Sequence, residues 1–413
     1  MLKQLILENW KSFRYAELPL DPLTILIGTN ASGKSNVVEA LEFLRRIAQG
    51  ENIETALAGD NKLASIRGGV EWAAKQGENE FTLKLLVADK SEPIDYLYSF
   101  TLKTLSTIQE SIEKISAFKE EDQYFPIKFG LPTNTFSHRS KLLNRSSIDG
   151  ITLDFMQSNF LTKPTEKECV QFDFVFEKAV SIINEILLPT MQNILVLNPV
   201  PEKMRNYSRL SENLEGDGSN IAGVLAALDE EQKMAVESNL SNYIKHLPEG
   251  DIKKVFAEPV GRLKTDAMLY CEEEWRPGET TLIDAKTMSD GTLRFLAILT
   301  ALLTRPEGSQ IVIEEIDNGL HPSRAKLLVK ILREIGSKRN IDILLTTHNP
   351  ALLDALGPEI VPFVVVAHRD SETGESKLTL LEDIDNFPKL FASYSLGEMT
   401  TKGAIERSLS HGE

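Results

Sequence analysis

The octapeptide Gly28-Thr29-Asn30-Ala31-Ser32-Gly33-Lys34-Ser35 sets two glycines, a lysine and a hydroxyl at the spacing G-x-x-x-x-G-K-[ST]. An apolar run, Leu23 to Ile27, precedes it. After it, Val37, Val38, Leu41, Leu44 and Ile47 fall on one face of a helix. Glycines let the backbone curl until successive N–H groups point at phosphate oxygens, and a helix opening there adds a partial positive charge. The chemistry expected is the cradling of a nucleoside triphosphate. Lys34 reaches the β- and γ-phosphates, Ser35 ligates Mg²⁺, and Asn36 closes the phosphate-binding set.

Ile311-Val312-Ile313-Glu314-Glu315 is an apolar run ending in two carboxylates. The first carboxylate beyond such a strand suits a metal held through water. The second suits the base that orients and deprotonates the water attacking a γ-phosphate. Glu314 is therefore the candidate metal residue beside Ser35, and Glu315 the candidate base. A second run, Ile343 to Thr347, ends in His348, placed to hydrogen-bond the γ-phosphate and help position water near Glu315. At Met288-Ser289-Asp290-Gly291-Thr292 a hydroxyl, a glycine N–H and a helix start coincide, which makes a second anion site from Ser289, Asp290 and Gly291. An ordinary N-cap has the same appearance.

Parallel strands covered on both faces read as continuous apolar runs, and Gln310–Ile313, Ile341–Leu345 and Ile360–Val366 fit that description. A helix from Pro322 to Glu334 joins the first two in a βαβ unit. At the N-terminus the pattern reads strand, turn, strand, Leu2–Leu7 and then Leu23–Ile27. Alternating runs around Phe81–Val87 and Tyr96–Phe100 suggest an antiparallel sheet beside the nucleotide core. Residues 108–250 read as a mainly helical insertion. Within it, Thr165 and Glu168 resemble a capping box opening a helix through Leu187. Another helix is expected over Asp229–His246, with Val236, Leu240, Tyr243 and Ile244 as its apolar stripe. The expected division is 1–107, the first part of the head, then 108–250, the insertion, then 251–413, the second part with a tail.

The formal net charge of −16 excludes a uniformly basic nucleic-acid-binding surface. Two local basic clusters remain, Arg139, Lys141, Arg145 and Lys203, Arg205, Arg209, the second a candidate contact for a polynucleotide or an effector. Cys169 and Cys271 match no metal spacing and form no disulfide framework, which points to a reducing compartment. With no long apolar run and an N-terminus that alternates like a strand, the chain reads as soluble and cytoplasmic, with no membrane partner.

These motifs in this order resemble the ABC-type heads of SMC-like and RecF-like ATPases, especially bacterial stand-alone ATPases related to OLD-family and abortive-infection proteins. The resemblance spans about 1–105 and 251–381 and includes Leu7-Glu8-Asn9-Trp10-Lys11-Ser12-Phe13 and Leu214 to Ala222. It implies an α/β P-loop NTPase fold of ABC-ATPase type, with a mixed or parallel core sheet, an antiparallel β-subdomain and a helical insertion. It further implies ATP with Mg²⁺ sandwiched between two heads of a homodimer or higher even oligomer, Ser289 capping the γ-phosphate held by the partner. A phage-defence sensor acting on a separate, nuclease-type effector follows from the same likeness, with DNA as a candidate partner. A RecF-like DNA repair ATPase is the alternative. No long SMC-type coiled coil and no spare acidic cluster of the OLD-type Toprim kind is read within these residues, so a nuclease is expected as a separate partner. His321 replaces the D-loop acid of transporter-type proteins, which disfavours a transporter subunit. Gln171 and Gln192 are the candidates for a Q-loop glutamine.

Overall fold

The computed structural model describes residues 1–61, 63–104, 108–119, 122–125, 129–130, 152–153, 180–247, 251–317 and 322–410. The chain forms two compact units. Met1–Asp21, Asn30–Ile194 and Ala367–Leu378 make the first; Pro22–Thr29, Leu195–Val366 and Thr379–Glu413 make the second.

In the first unit, period-two alternation builds a six-stranded antiparallel sheet. Its order is Phe13–Pro19, Leu2–Trp10, Glu80–Ala88, Ile94–Thr104, Ile108–Lys119, Asp122–Phe125. Phe81, Leu83, Leu85 and Val87 share one buried face with Tyr96, Tyr98, Phe100 and Leu102 of the neighbouring strand. The helix Lys34–Ala48 buries Val37, Val38, Leu41, Phe43, Leu44 and Ile47. Phe43 meets Trp10, Phe81 and Phe100 with ring centroids 6.0, 6.0 and 5.5 Å away. Such ring pairs add about 0.5–1.5 kcal/mol each beyond area burial.

Three strands of this sheet were not expected, Phe13–Pro19, Ile108–Lys119 and the short Asp122–Phe125. Phe13–Pro19 follows Leu2–Trp10 as a hairpin, burying Phe13, Ala16 and Leu18. The 108–250 stretch opens not as helix but with the strand Ile108–Lys119, paired along its length with Ile94–Thr104. Its inward positions include Ser111 and Glu113, both buried, so the apolar alternation that normally betrays a strand is masked by polar residues facing the core. Thr165, Glu168, Gln171 and the Arg139, Lys141, Arg145 cluster lie outside the described residues. Helix is present from Ile183 to Gln192.

The second unit is organised around parallel strands. Leu23–Ile27 lies between Asp342–Thr346 and Val364–Arg369, and Gln310–Ile313 lies beyond Asp342–Thr346. Every residue of Leu23–Ile27, Gln310–Ile313 and Asp342–Thr346 is buried, as strands covered on both faces require. The helix Pro322–Arg339 makes the crossover. The strand expected over Ile360–Val366 starts later, at Val364, because Pro358–Phe363 is a 3₁₀ turn containing Pro362. The helix Glu230–Ile244 is capped by Asp229 and buries Val236, Leu240 and Ile244 as its stripe predicted. An antiparallel sheet of Ile252–Val260, Asp266–Arg276 and Glu279–Asp284 leads into the helix Asp290–Thr304, which is buried on nearly every side. Among the described residues, no helix is long and apolar enough to cross a membrane.

Candidate nucleotide site

The phosphate loop is where the chain passes from the second unit, which holds Gly28 and Thr29, to the first, which holds Asn30 onward. Its backbone is bent by residues in positive-φ conformations: Gly28 at 147°, Ala31 at 63° and Gly33 at 113°. Gly33 cannot be replaced cheaply, since a Cβ there would lie 2.7 Å from Phe13 Cζ and 2.9 Å from Ser376 Oγ. Lys34 and Ser35 open the helix, and no side chain caps its N-terminus. No acid stands in its first turn either. The N–H groups that a helix start leaves unsatisfied therefore face no competing carboxylate from their own turn. Ser32 is buried, with its hydroxyl unpartnered among the described residues. A buried hydroxyl without a partner is costly, so an arriving phosphate oxygen suits this loop as an acceptor.

Several contacts in the first unit hold the loop from outside. Arg369 Nε donates to Ala31 O at 2.9 Å. Asn36 Nδ2 donates to Ser12 Oγ at 2.7 Å, and Ser376 Oγ donates to the same hydroxyl at 2.7 Å. The Trp10 indole N–H donates to Asn36 O at 2.7 Å. A cleft of about 550 Å³ opens beside Asn36, lined by Lys11, Ser12, Arg67, Trp72 and Arg369 among others. Burial lowers the Lys11 pKa, and its bond to Glu39 opposes that shift. Ser12, Arg67 and Arg369 had no motif of their own in the sequence; only Ser12 belonged to a stretch already marked, Leu7 to Phe13.

In the second unit, three parallel strands end side by side. Ile313 is level with Leu345, and Leu345 with Ile25, so Glu314 and Glu315, then Thr347 and His348, then Gly28 and Thr29 leave from one edge of the sheet. That edge, outside the carboxyl ends of parallel strands, is where open α/β sheets bind ligands. Glu315 takes φ 47°, in the left-handed region, and its N–H donates to Thr346 Oγ1 at 2.9 Å. Ile316 N–H donates to Thr346 O at 3.2 Å, and Thr347 Oγ1 donates to Asp317 Oδ1 at 2.6 Å. Glu315 and His348 are exposed, and Glu314 is half-buried. Thr346 and Thr347, which pin the acidic turn, were read only as the lead-in to His348.

Ser289 and Asp290 are exposed, while Gly291 is buried. Ser289 is the N-cap of Asp290–Thr304, its Oγ accepting from Thr292 N–H at 3.2 Å. Arg205 and Lys203 belong to internal ion pairs, Arg205 with Asp290 at 2.6 Å and Lys203 with Asp217 at 2.9 Å. Acids thus already meet two of the three charges in the cluster marked as a candidate polynucleotide or effector contact. Gln192 is not at a phosphate either. Its amide donates to Ala48 O, at the far end of the helix from Lys34. Asn318 to His321 lie outside the described residues.

Residues 23–354 match the family described as "AAA domain, putative AbiEii toxin, Type IV TA system". The chain belongs to that family. It is also 21% identical over 366 residues to an ATP/GTP phosphatase of Helicobacter pylori, covering 86% of this chain and 87% of that one. It is 28% identical over 210 residues to the DNA replication and repair protein RecF of Rickettsia canadensis, about half of each chain (50% and 51%). An SMC head solved with the C-winged helix domain of ScpA shares the fold, with a TM-score of 0.53 at 13% identity, covering 92% of this chain and 97% of that one. This AbiEii-related protein is thus an ATPase of SMC/RecF-like type with a P-loop NTPase fold.

Proposed function

We propose that the protein binds MgATP on the Gly28–Ser35 loop and hydrolyses it between two copies of itself. In this reading the ATP cycle is a switch, in the cytoplasm, for a separate effector of nuclease type in anti-phage defence. The observation that carries the hydrolytic part is the shared edge at which Gly28, Glu315 and His348 leave three adjacent parallel strands.

Loop N–H groups, the Ser32 hydroxyl and Lys34 receive the phosphates. Asn36 borders both this loop and the neighbouring cleft, which suits the nucleoside. Ser35 and Glu314 would hold Mg²⁺, which, when bound, offsets charge on the β- and γ-phosphate oxygens. Glu315 takes a proton from the attacking water, and His348 hydrogen-bonds the γ-phosphate and orients that water. The Ser289 hydroxyl and the backbone N–H groups of Asp290 and Gly291 of one copy meet the γ-phosphate held by the other. The family's description, "putative AbiEii toxin, Type IV TA system", supports the defence reading.

The alignment with RecF supports a second reading, a DNA repair ATPase. Duplex DNA that stimulates turnover without any linked effector would favour it. The primary test is size-exclusion chromatography with light scattering on wild type and Glu315→Gln, with and without MgATP. A mutant that traps ATP and dimerises supports the composite site and the base. A mutant that still turns over, or an assembly indifferent to ATP, removes that reading.

A further inference from the structure

The segment between the strand Ile194–Leu197 and the helix Ile221–Ala227 has no part in the phosphate chemistry above. It nevertheless grips the Asp290–Thr304 helix at three levels. At the N-terminal end, Arg205 Nη2 donates to Met288 O at 2.9 Å and to Asp290 Oδ1 at 2.6 Å. Midway, Gly218 passes so close that a Cβ would stand 3.2 Å from Met204 Sδ and 3.4 Å from Ala297 Cβ. At the C-terminal end, Arg305 Nη1 donates to Asn213 Oδ1 at 3.2 Å. The segment is itself held: Asn198 N–H donates to Gly216 O at 2.7 Å and Val200 N–H to Asp217 O at 2.9 Å.

Arg205 is the member of this clamp that reaches the loop carrying Ser289. Its two acceptors flank that residue, so the guanidinium fixes the loop on both sides of the hydroxyl. The charge matters as much as the geometry. Asp290 stands in the first turn of the helix, where its carboxylate would repel an incoming phosphate. A guanidinium at 2.6 Å offsets that charge.

We propose that Arg205 is a positioning residue for the Met288–Asp290 loop, holding it ready and neutralising Asp290 so that the γ-phosphate of a partner copy is accepted. This rests on the composite-site reading. A protomer's own phosphate loop does not need Arg205, so nucleotide affinity and nucleotide-dependent dimerisation separate. The double variant with Asp290 separates further: removing the acid as well removes the repulsion that Arg205 offsets.

The test is light scattering in MgATP over a protein dilution series, in the Glu315→Gln background, with Arg205→Ala, Arg205→Lys, Asp290→Ala and the Arg205→Ala/Asp290→Ala double. We expect Arg205→Ala to raise the half-dimerisation concentration about tenfold or more. Binding of a fluorescent ATP analogue to protomers should stay within about twofold, well under the 1.4 kcal/mol of a tenfold change. In the otherwise wild-type protein, kcat falls with KM unchanged. The double variant dimerises better than Arg205→Ala alone, a reversal that a purely structural role would not produce. Should Arg205→Ala fail to fold, Arg205→Lys, which keeps the charge on a shorter side chain without the planar guanidinium, is expected midway between wild-type and impaired assembly. Dimerisation of Arg205→Ala or Arg205→Lys equal to the parent, or a double no better than Arg205→Ala, overturns the proposal. A Glu315→Gln parent that stays monomeric in MgATP overturns the composite-site reading and this proposal together.

Discussion

Replacing Thr346 by valine separates the position of the proposed base from the rest of the site. Thr346 is buried, and its hydroxyl accepts the Glu315 N–H at 2.9 Å while Glu315 sits at φ 47°. The left-handed conformation costs a residue with a side chain about 1–2 kcal/mol. Valine keeps the shape and deletes the acceptor, so the Glu315 N–H loses its side-chain partner at a cost of about 1–3 kcal/mol. The lost bond is thus comparable to the strain it helps to hold, and Glu315 relaxes toward ordinary backbone angles. Such a displacement of a reacting group lowers kcat by about 10–100-fold. The hydroxyl is engaged with the acidic turn, so binding of an ATP analogue should change little. Thr346→Ser restores the acceptor and should recover most of the rate. The assay is steady-state phosphate release beside analogue binding. Wild-type kcat in Thr346→Val, or a loss matched by an equal loss of binding, would refute the reasoning.

Ser32→Ala removes a buried hydroxyl that has no partner among the described residues; the nucleotide-free protein should melt no lower, while ATP affinity measured by calorimetry falls several-fold, by about 1 kcal/mol. Glu113 lies buried beneath the antiparallel sheet, with the Tyr98 hydroxyl 3.2 Å away, and burial raises its pKa from 4.5 to about 8. An acid with a raised folded pKa contributes fully below its unfolded value, so stability should fall as pH rises from 4.5 toward 8, by at most about 1.4 kcal/mol per unit. Glu113→Gln, compared with wild type by urea unfolding at pH 5 and pH 8, should flatten that fall; equal slopes in both proteins would rule Glu113 out as its source.

What was legible in the sequence was local. The phosphate loop declares itself because its glycines, lysine and hydroxyl lie within eight consecutive residues and curl around one ligand. Glu314 and Glu315 are visible for the same reason, at the end of an apolar run. The groups that hold these residues in place were not visible, because they come from distant chain. Thr346 lies 31 positions from Glu315, Arg205 lies 85 from Asp290, and Arg369 lies 338 from Ala31. A threonine before a histidine or an arginine after a short turn carries no signal until the sheet brings its partner alongside. The strand Ile108–Lys119 was hidden differently, by Ser111 and Glu113 on the face that alternation expects to be apolar.

The two helix starts in the proposed mechanism differ in a way that orders its steps. Lys34–Ala48 begins with no side-chain cap and no acid in its first turn, so a phosphate approaching it meets no carboxylate from that turn. Asp290–Thr304 begins capped by Ser289 and carries Asp290, itself joined to Arg205. An anion arriving there meets a carboxylate already spent on an arginine and a hydroxyl already engaged with Thr292. Such a start gains little from a free nucleotide, which would have to disturb that network for a single weak contact. It gains more from a phosphate already fixed on another surface, because the entropy of holding the ligand has then been met elsewhere. In the proposed mechanism, the uncapped helix start would therefore bind first and the capped one second, with nucleotide capture by each protomer preceding assembly.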